Sequence, residues 1–119
     1  MKYMLLIYHE EQSWTSQSEE DHQSIYAEYR QLIEELKASG KYLFGDQLQP
    51  ATTAQSVRVR DGEQLVTDGP FAETREQVGG FFMIEADSFE EARSIAARIP
   101  SARTGTIEVR PVVQAAAAG

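Results

Sequence analysis

Cysteine is absent from the 119 residues, and basic residues are few, 11 against 19 acidic ones. Without cysteine the chain forms no disulfide, no thiolate nucleophile and no cysteine-ligated metal site. The net charge of −8 repels phosphate groups and anionic lipids, so we expect neither nucleic acid nor a membrane surface as a partner. No apolar run approaches the roughly 20 residues that cross a bilayer. The short run at residues 4–8 is followed at once by acidic residues and does not suit a signal peptide. We therefore expect a cytoplasmic protein.

The rest of the composition is that of an ordinary globular domain. Hydrophobic residues make up 41% of the chain and charged residues 25%, which is the usual balance for a folded protein. The length suits one domain and one hydrophobic core. We predict a single domain over residues 1–113 and a short disordered alanine-rich tail over residues 114–119.

Two segments carry the signals of amphipathic helices. In residues 18–39, Ser18 suits the N-cap, three acidic residues follow in the first turn, and Gly40 suits the position after the last turn. The second helix is predicted to begin after Ser88, which has capping-box spacing to Glu91, and to end at Pro100. The apolar stripe of the first helix contains Ile25, Tyr29, Leu32, Ile33 and Leu36.

Six short segments are predicted as strands, because they are apolar runs or alternate apolar with polar residues. They cover residues 1–8, 41–48, 56–60, 65–67, 81–85 and 104–110. The pair Asp61-Gly62 between the third and fourth segments predicts a β-hairpin. With this hairpin set aside, the element order is βαββαβ, so we predict an α+β, ferredoxin-like fold with an inserted β-hairpin.

The segments at residues 1–8 and 81–85 are apolar on both faces, as the two central strands of that fold should be. Two helices cover one face of the sheet, which leaves five or six apolar side chains on the other. Burying each of these is worth roughly 1.5–3 kcal/mol. We therefore predict a homodimer whose sheets pack face to face. The alternative is that the long polar loops of the same chain fold beneath the sheet.

The loop before the fifth strand is predicted to be rigid. Pro70 fixes its own φ and disfavours the α region for Gly69, and Asp68 can accept hydrogen bonds from nearby backbone N–H groups. Asp68 is thus either a turn former or, if burial raises its pKa, a general base and catalytic residue. The side chains that the loop presents together are Phe71, Glu73, Thr74, Arg75 and Glu76.

The stretch DGPFAETREQVGGFF, at residues 68–82, resembles the signature of the DGPF branch of the YCII-related proteins. The similarity extends to MKYMLLIY at the start, VRVRDG before the loop and AARIPSARTGTIEVRP near the end, and so covers nearly all of residues 1–111. The resemblance implies a dimeric α+β barrel built on a ferredoxin-like unit, in a family without an established reaction. Genes of this group often accompany extracytoplasmic-function sigma factors, so the resemblance also implies a sigma factor as a partner.

The wider YCII group has been suspected of enzymatic activity through a histidine of the first helix and an aspartate near the end of the second. In this chain Tyr29 stands at the place of the histidine, and Ile99 stands at the place of the aspartate. Neither residue type transfers, so that pair of residues cannot act here.

Several other side chains are candidates for a ligand-binding site. Tyr8, Tyr29 and Phe71 could line a pocket, although core packing is the default interpretation for Tyr29. Trp14, in the polar loop predicted over residues 9–17, could cover a cleft or a partner subunit. Arg103 could bind a carboxylate or phosphate through its two-pronged guanidinium, or form a charge pair with Glu73.

The two histidines, His9 and His22, match no known zinc spacing, and loop or helix-start histidines are usually exposed. We therefore predict no metal and no cofactor.

Three functions stay open at this stage. The first is a small-molecule or enzymatic site in the cleft of the dimer, with the 68–76 loop, Glu73, Thr74 and Arg103 facing one pocket. The second is an accessory protein whose acidic surface meets a basic partner such as a sigma factor. In the third, the loop has only a structural role and closes the barrel.

Overall fold

A computed structural model describes residues 1–114. The strands are β1 (Lys2–His9), β2 (Tyr42–Gln47), β3 (Gln55–Arg60), β4 (Glu63–Asp68), β5 (Gln77–Glu85) and β6 (Thr106–Pro111). The helices are α1 (Glu11–Thr15), α2 (Glu19–Ala38) and α3 (Phe89–Arg98), and short 3₁₀ turns cover Ala51–Thr53 and Pro100–Arg103. Within residues 1–114 no helix has the length and apolar character needed to cross a membrane. The predicted tail, from residue 115 onward, lies outside the described residues.

Four of the strands form one antiparallel sheet in the order β2-β5-β1-β6. The prediction of an α+β fold is confirmed, and β1 and β5 are the central strands as their two-sided apolar pattern indicates. The strand order is consistent with a ferredoxin-like unit. Strands β3 and β4 pair with each other as a separate two-stranded sheet. Asp61 and Gly62, between them, both have positive φ angles, of 51° and 79°, as a tight hairpin turn requires.

The core lies between one face of the sheet and the two longer helices. Alternate residues of the central strands point into it, and Leu5 and Ile84 are completely buried there. The buried residues that form this single cluster are Tyr3, Leu5, Ile7, Leu32, Leu36, Phe82, Ile84, Ala86, Ala92, Ile95, Ala96 and Ile99.

The opposite side of the sheet, which we call the helix-free face, carries an apolar set of its own. Its members are Met4, Leu6, Tyr8, Phe44, Phe81 and Met83, and none of them belongs to the buried core. Phe44 is 53% exposed and meets Phe81 edge to face at 6.0 Å between ring centroids. The edge strand β6 adds a polar border, where the Tyr8 hydroxyl donates to Glu108 Oε1 at 2.9 Å.

Both predicted helices are confirmed together with their caps. Ser18 Oγ accepts from the Asp21 N–H, and Ser88 Oγ accepts from the Glu91 N–H, each at 3.1 Å. The prediction of a polar loop over residues 9–17 is wrong in part, because α1 forms there. Its side chains provide no N-cap hydrogen bond, so packing of the helix, rather than local capping, accounts for it.

Strand β5 begins four residues earlier than predicted, so that Gly79 and Gly80 lie inside it rather than before it. The reason is tertiary. Strand β1 continues to His9 and pairs there with Gln77, which extends the ladder past the glycines. The register shifts between Ile7 and Tyr8, so a bulge lies at this end of the central pair. This irregular end of the sheet forms the floor of the cavity described next.

Candidate functional site

A cavity of about 350 Å³ lies between α2 and the end of the sheet where β1, β2 and β5 meet. We call it the helix-face cavity. Most of the residues that line it are aromatic, apolar or glycine. They are Ile7, His9, Trp14, Tyr26, Tyr29, Arg30, Ile33, Tyr42, Gly45, Asp46, Gln47, Gly79, Gly80, Phe82 and Ser101. The size and lining are those of a small-molecule site.

Two glycines on the floor of the cavity make room for side chains of the protein itself. A Cβ atom at Gly79 would overlap the imidazole of His9, and one at Gly45 would overlap the backbone oxygen of Phe81 and come within 2.8 Å of the Tyr42 hydroxyl. The side chains of His9 and Tyr42 therefore lie directly on the strands, in space that any larger residue would fill. Glycine at these two strand positions is what allows the two side chains to line the cavity there.

Aromatic rings form the walls. Phe82 lies on the floor and is met edge-on by Tyr42 and Tyr29, at centroid distances of 5.2 Å and 6.1 Å. On the side facing α1, Trp14 stacks on His22 at 3.9 Å, and His22 Nε2 lies 2.7 Å from the Trp14 carbonyl oxygen. These contacts hold α1 against α2, with Trp14 at the cavity. The prediction that Trp14 covers a cleft agrees with this placement.

The expectation that both histidines are exposed is wrong. His22 is half-buried because it stacks on Trp14 and contacts its carbonyl group. His9 is half-buried because it ends a central strand and lies over Gly79. Sequence position indicated a loop for His9, whereas β1 extends far enough to include it.

A pair of hydroxyl groups lies among the polar groups of the cavity. Tyr29 Oη lies 2.7 Å from Ser101 Oγ. Burial raises the pKa of Tyr29 above its ordinary value, although the hydrogen bonds from Ser101 and the positive charge of Arg103 act in the opposite direction. Tyr29 therefore carries its proton at neutral pH. The pKa of Tyr42 is also raised, by burial first and by the negative charge of Asp46 second.

Charged groups line only the rim. Arg30 and Asp46 are exposed residues of opposite sign. Among the residues that the structure describes, the rest of the cavity lining consists of apolar, aromatic, amide, hydroxyl and imidazole groups and of glycine backbone. The interior can thus bind an uncharged group and the rim can contact a charged one.

The predicted ligand-binding residues do not all meet in one cavity. Tyr29 lines the helix-face cavity. Tyr8, Phe71 and Thr74 line a second, open depression of about 580 Å³ beside the 68–77 loop. Phe71 is 78% exposed and packs under Arg58, whose guanidinium carbon lies 5.2 Å from the ring centroid. The 68–77 loop and Tyr29 therefore line different cavities.

Asp68 is exposed, and its Oδ1 accepts from Gln55 Nε2 at 3.1 Å. Its observed partner is thus the facing hairpin strand, whereas the sequence suggested a backbone N–H group. Gly69 has a φ of +98°, which supports the predicted rigid turn. Asp68 lines neither of the two cavities described above. Its role as a catalytic base stays a prediction.

The expected charge pair between Glu73 and Arg103 is wrong. Arg103 Nη2 contacts Glu28 Oε2 of helix α2 at 2.9 Å, while Glu73 is exposed on the loop. The reason is that the 3₁₀ turn Pro100–Arg103 packs beside α2 rather than beside the loop. The loop instead contacts the residue just before α1, where Arg75 Nε lies 3.0 Å from Glu10 Oε2. A role for Arg103 in binding an anion stays a prediction.

Sequence reasoning missed Ser101, Tyr26 and Tyr42 as parts of one site. Ser101 lies far from Tyr29 in the chain, and nothing in local patterning links the two. A usable signal was present in the glycines, because Gly45 and Gly79 interrupt strands that otherwise carry large side chains. Glycine inside a strand often marks close approach of another group.

Comparison with known proteins gives a consistent result. Residues 1–116 match the YCII-related domain. An uncharacterized protein of Rhizobium meliloti (strain 1021) is 35% identical to this chain over 114 residues, which cover 94% of this chain and 92% of that protein. The match covers both the helix-face cavity and the 68–77 loop. On this match and this identity, the chain belongs to the YCII-related family.

Proposed function

We propose that this protein binds a small organic molecule, mainly apolar, in the helix-face cavity. The observation that carries the proposal is a half-open cavity of about 350 Å³ whose walls are aromatic rings. A region that served only as core would be filled, because protein interiors are packed nearly as densely as organic crystals. A half-open cavity walled by tyrosine and tryptophan keeps apolar surface available to a ligand instead.

The chemistry at hand favours binding over a defined reaction. Tyr29 and Ser101 can donate and accept hydrogen bonds, and His9 offers an imidazole at the floor. These groups can orient a ligand without the histidine–aspartate pair that was expected of the wider family.

The test uses a neutral fluorescent probe of apolar sites, N-phenyl-1-naphthylamine. We expect saturable binding with one probe per chain, and quenching of Trp14, which is the only tryptophan. Ile33→Phe places a larger side chain at the cavity wall and should lower the affinity about tenfold or more. Gln31→Phe is the matched control, because Gln31 is an exposed residue of the same helix outside the cavity lining. No saturable binding, or equal binding by both variants and the parent protein, would contradict the proposal.

We further propose that two copies pack together through the helix-free face. The support is that Met4, Leu6, Phe81 and Met83 form an apolar patch on central strands, although none of them is in the core. These four side chains are already half-buried, so covering the rest of each is worth part of the roughly 1.5–3 kcal/mol that a fully exposed side chain gains on burial. In this arrangement the two helix-face cavities point away from each other, so the dimer has two separate sites.

Sedimentation equilibrium at micromolar concentration tests the second proposal. We expect twice the chain mass. A monomer across the whole concentration range would contradict it, and would leave the binding proposal untouched because each cavity is formed within one chain.

Within the family, we propose membership of the DGPF branch on the motif Asp68-Gly69-Pro70-Phe71. The association with a sigma factor stays a prediction, since no contact described above favours it.

A further inference from the structure

The geometry points to a flat aromatic ligand with an uncharged oxygen substituent, which inserts between the rings and places its oxygen at the Tyr29–Ser101 pair. This inference rests on the proposed function and narrows it to a chemical class. Three independent observations support it, concerning the walls, the charges and the hydroxyl pair.

The walls favour an aromatic ligand over a saturated one of the same size. Ring edges are electropositive and ring faces electronegative, so an aromatic guest gains about 0.5–1.5 kcal/mol per well-placed pair beyond its buried area. The side chains that can make such pairs are Trp14, Tyr26, Tyr29, Tyr42 and Phe82. His22 covers one face of Trp14 and Tyr26 meets the indole edge to face at 5.6 Å, so the rings at this wall form one aromatic cluster at the cavity.

The charges favour an uncharged inserted group. Arg30 and Asp46 lie at the rim, and within residues 1–114 no other lysine, arginine, aspartate or glutamate side chain lines the cavity. Moving an ionised group into the interior without a counter-charge costs several kilocalories per mole or shifts its pKa. A charged aromatic molecule could bind only by leaving its charge at the rim.

The hydroxyl pair favours an oxygen substituent. Tyr29 and Ser101 carry two hydroxyl hydrogens, and their mutual hydrogen bond uses one. The described residues offer the second hydrogen no partner, so it is free to be donated to a ligand. A phenol or carbonyl oxygen accepts it, whereas a hydrocarbon would displace water from the pair without replacing its hydrogen bond.

Calorimetric titration of the full chain with three probes of one skeleton tests the class. The probes are 2-naphthol, its saturated counterpart decahydro-2-naphthol, and 2-naphthoate. We expect 2-naphthol to bind about tenfold more tightly than either of the others, with one site per chain. Binding of decahydro-2-naphthol within threefold of 2-naphthol would overturn the aromatic requirement. Tighter binding of 2-naphthoate would overturn the uncharged requirement and indicate Arg30 as the anchor.

The outcomes distinguish this inference from the proposed function. If N-phenyl-1-naphthylamine binds and Ile33→Phe weakens it, but none of the three probes binds, the cavity is a ligand site and the inferred class is wrong. If that neutral probe also fails to bind, the proposed function itself is contradicted.

Variants test the oxygen contact. Tyr29→Phe should weaken 2-naphthol binding roughly three- to tenfold, which corresponds to the loss of one hydrogen bond. Tyr8→Phe is the matched control, because it removes a tyrosine hydroxyl that bonds Glu108 outside the helix-face cavity, and should change the affinity less than twofold. Ser101→Ala gives a second measurement should Tyr29→Phe fold poorly, and we expect a loss of the same size. Equal losses in the Tyr29 and Tyr8 variants would overturn the assignment of the oxygen site.

Discussion

The two faces of the four-stranded sheet are built from the same strands, but their side chains differ in how deeply they are buried. Leu5 and Ile84 point toward the helices and are completely buried, whereas their neighbours Met4 and Met83 point the other way and are only half-buried. The two sets alternate along the chain and are similarly apolar. The difference lies in what covers them, because both long helices pack on one side.

The comparison shows that hydrophobicity alone does not define the core of this protein. One face is covered by the helices of the same chain, and the packing between them opens at one end to form the helix-face cavity. The other face carries an apolar set that lies outside the core cluster and is bordered by Glu108 of β6. We interpret the first as serving folding and ligand binding, and the second as serving assembly.

The largest expected effect concerns assembly. Phe81→Lys places a charge in the middle of the helix-free face, and an interface with two-fold symmetry counts each substitution twice. We expect a loss of roughly 3–6 kcal/mol, which raises the dimer dissociation constant by about 10²- to 10⁴-fold. Light scattering measures this as a halved mass. Val59→Lys, at a hairpin position that is 62% exposed, is the control and should leave the mass unchanged. An unchanged mass in the Phe81 variant would argue against the interface.

The second effect compares neighbouring residues on the two faces. In the Phe81→Lys background, where the helix-free face is open to water, Ile84→Ala should lower the free energy of unfolding by about 2–5 kcal/mol because it leaves a cavity in the core. Met83→Ala should lower it by about 1 kcal/mol or less. Urea denaturation measures both. Equal losses would mean that the helix-free face is covered within one chain.

A smaller effect compares the two tyrosine hydroxyls. Tyr29→Phe leaves Ser101 Oγ without its partner in the cavity, and should destabilise the fold by about 0.5–1.5 kcal/mol. In the Phe81→Lys background, where the helix-free face is open to water, Tyr8→Phe removes a hydrogen bond to Glu108 and should cost about 0.5 kcal/mol or less because water can replace it. Thermal denaturation of the two variants provides the measurement. A larger loss for Tyr8 would place that hydroxyl in a buried environment and contradict the assignment of the faces.

The smallest expected effect concerns the Glu91 carboxylate, at the edge of the helix-covered face. The Asp87 N–H first, and Lys41 second, hold the pKa of Glu91 below its ordinary value. Since the folded-state pKa is lowered, this contribution to stability is present above the ordinary glutamate pKa and is lost as the pH falls through the lowered one. Glu91→Gln should therefore reduce the fall in melting temperature between about pH 6 and pH 3.

Glu90→Gln is the matched control for that measurement, because Glu90 lies in the same helical turn and is exposed. We expect it to keep the pH dependence of the parent protein. An unchanged slope in the Glu91 variant would contradict the assigned hydrogen bonds.

Local rules predicted much of this fold. Ser18 and Ser88 mark the helix starts because capping depends on residues within one turn, and Asp61-Gly62 marks the hairpin because its dihedral angles are set by two residues. The central position of β1 and β5 followed from their apolar character on both faces. These features depend on neighbours in sequence, or on a pattern repeated along one strand.

The candidate site could be predicted only in part, because it depends on contacts between distant segments. Tyr29 could be singled out by its place in a helical stripe, but its partner Ser101 is 72 positions away. The length of β1, which places His9 over Gly79, follows from pairing with β5 and not from the composition of residues 9–17. Arg103 and Glu73 were expected to pair because their charges are opposite. The 3₁₀ turn that begins at Pro100 directs Arg103 to α2 instead.

The two sides of the helix-face cavity differ in how far they tolerate substitution. Gly45 and Gly79 carry no side chain to vary, because Tyr42 and His9 lie over them. The α2 side is formed by Tyr26, Tyr29, Arg30 and Ile33, which recur at three- and four-residue intervals along the helix. Tyr29 and Ile33 also pack against the core, so Tyr26 and Arg30 are the positions at which the lining can be exchanged with the smallest loss of stability.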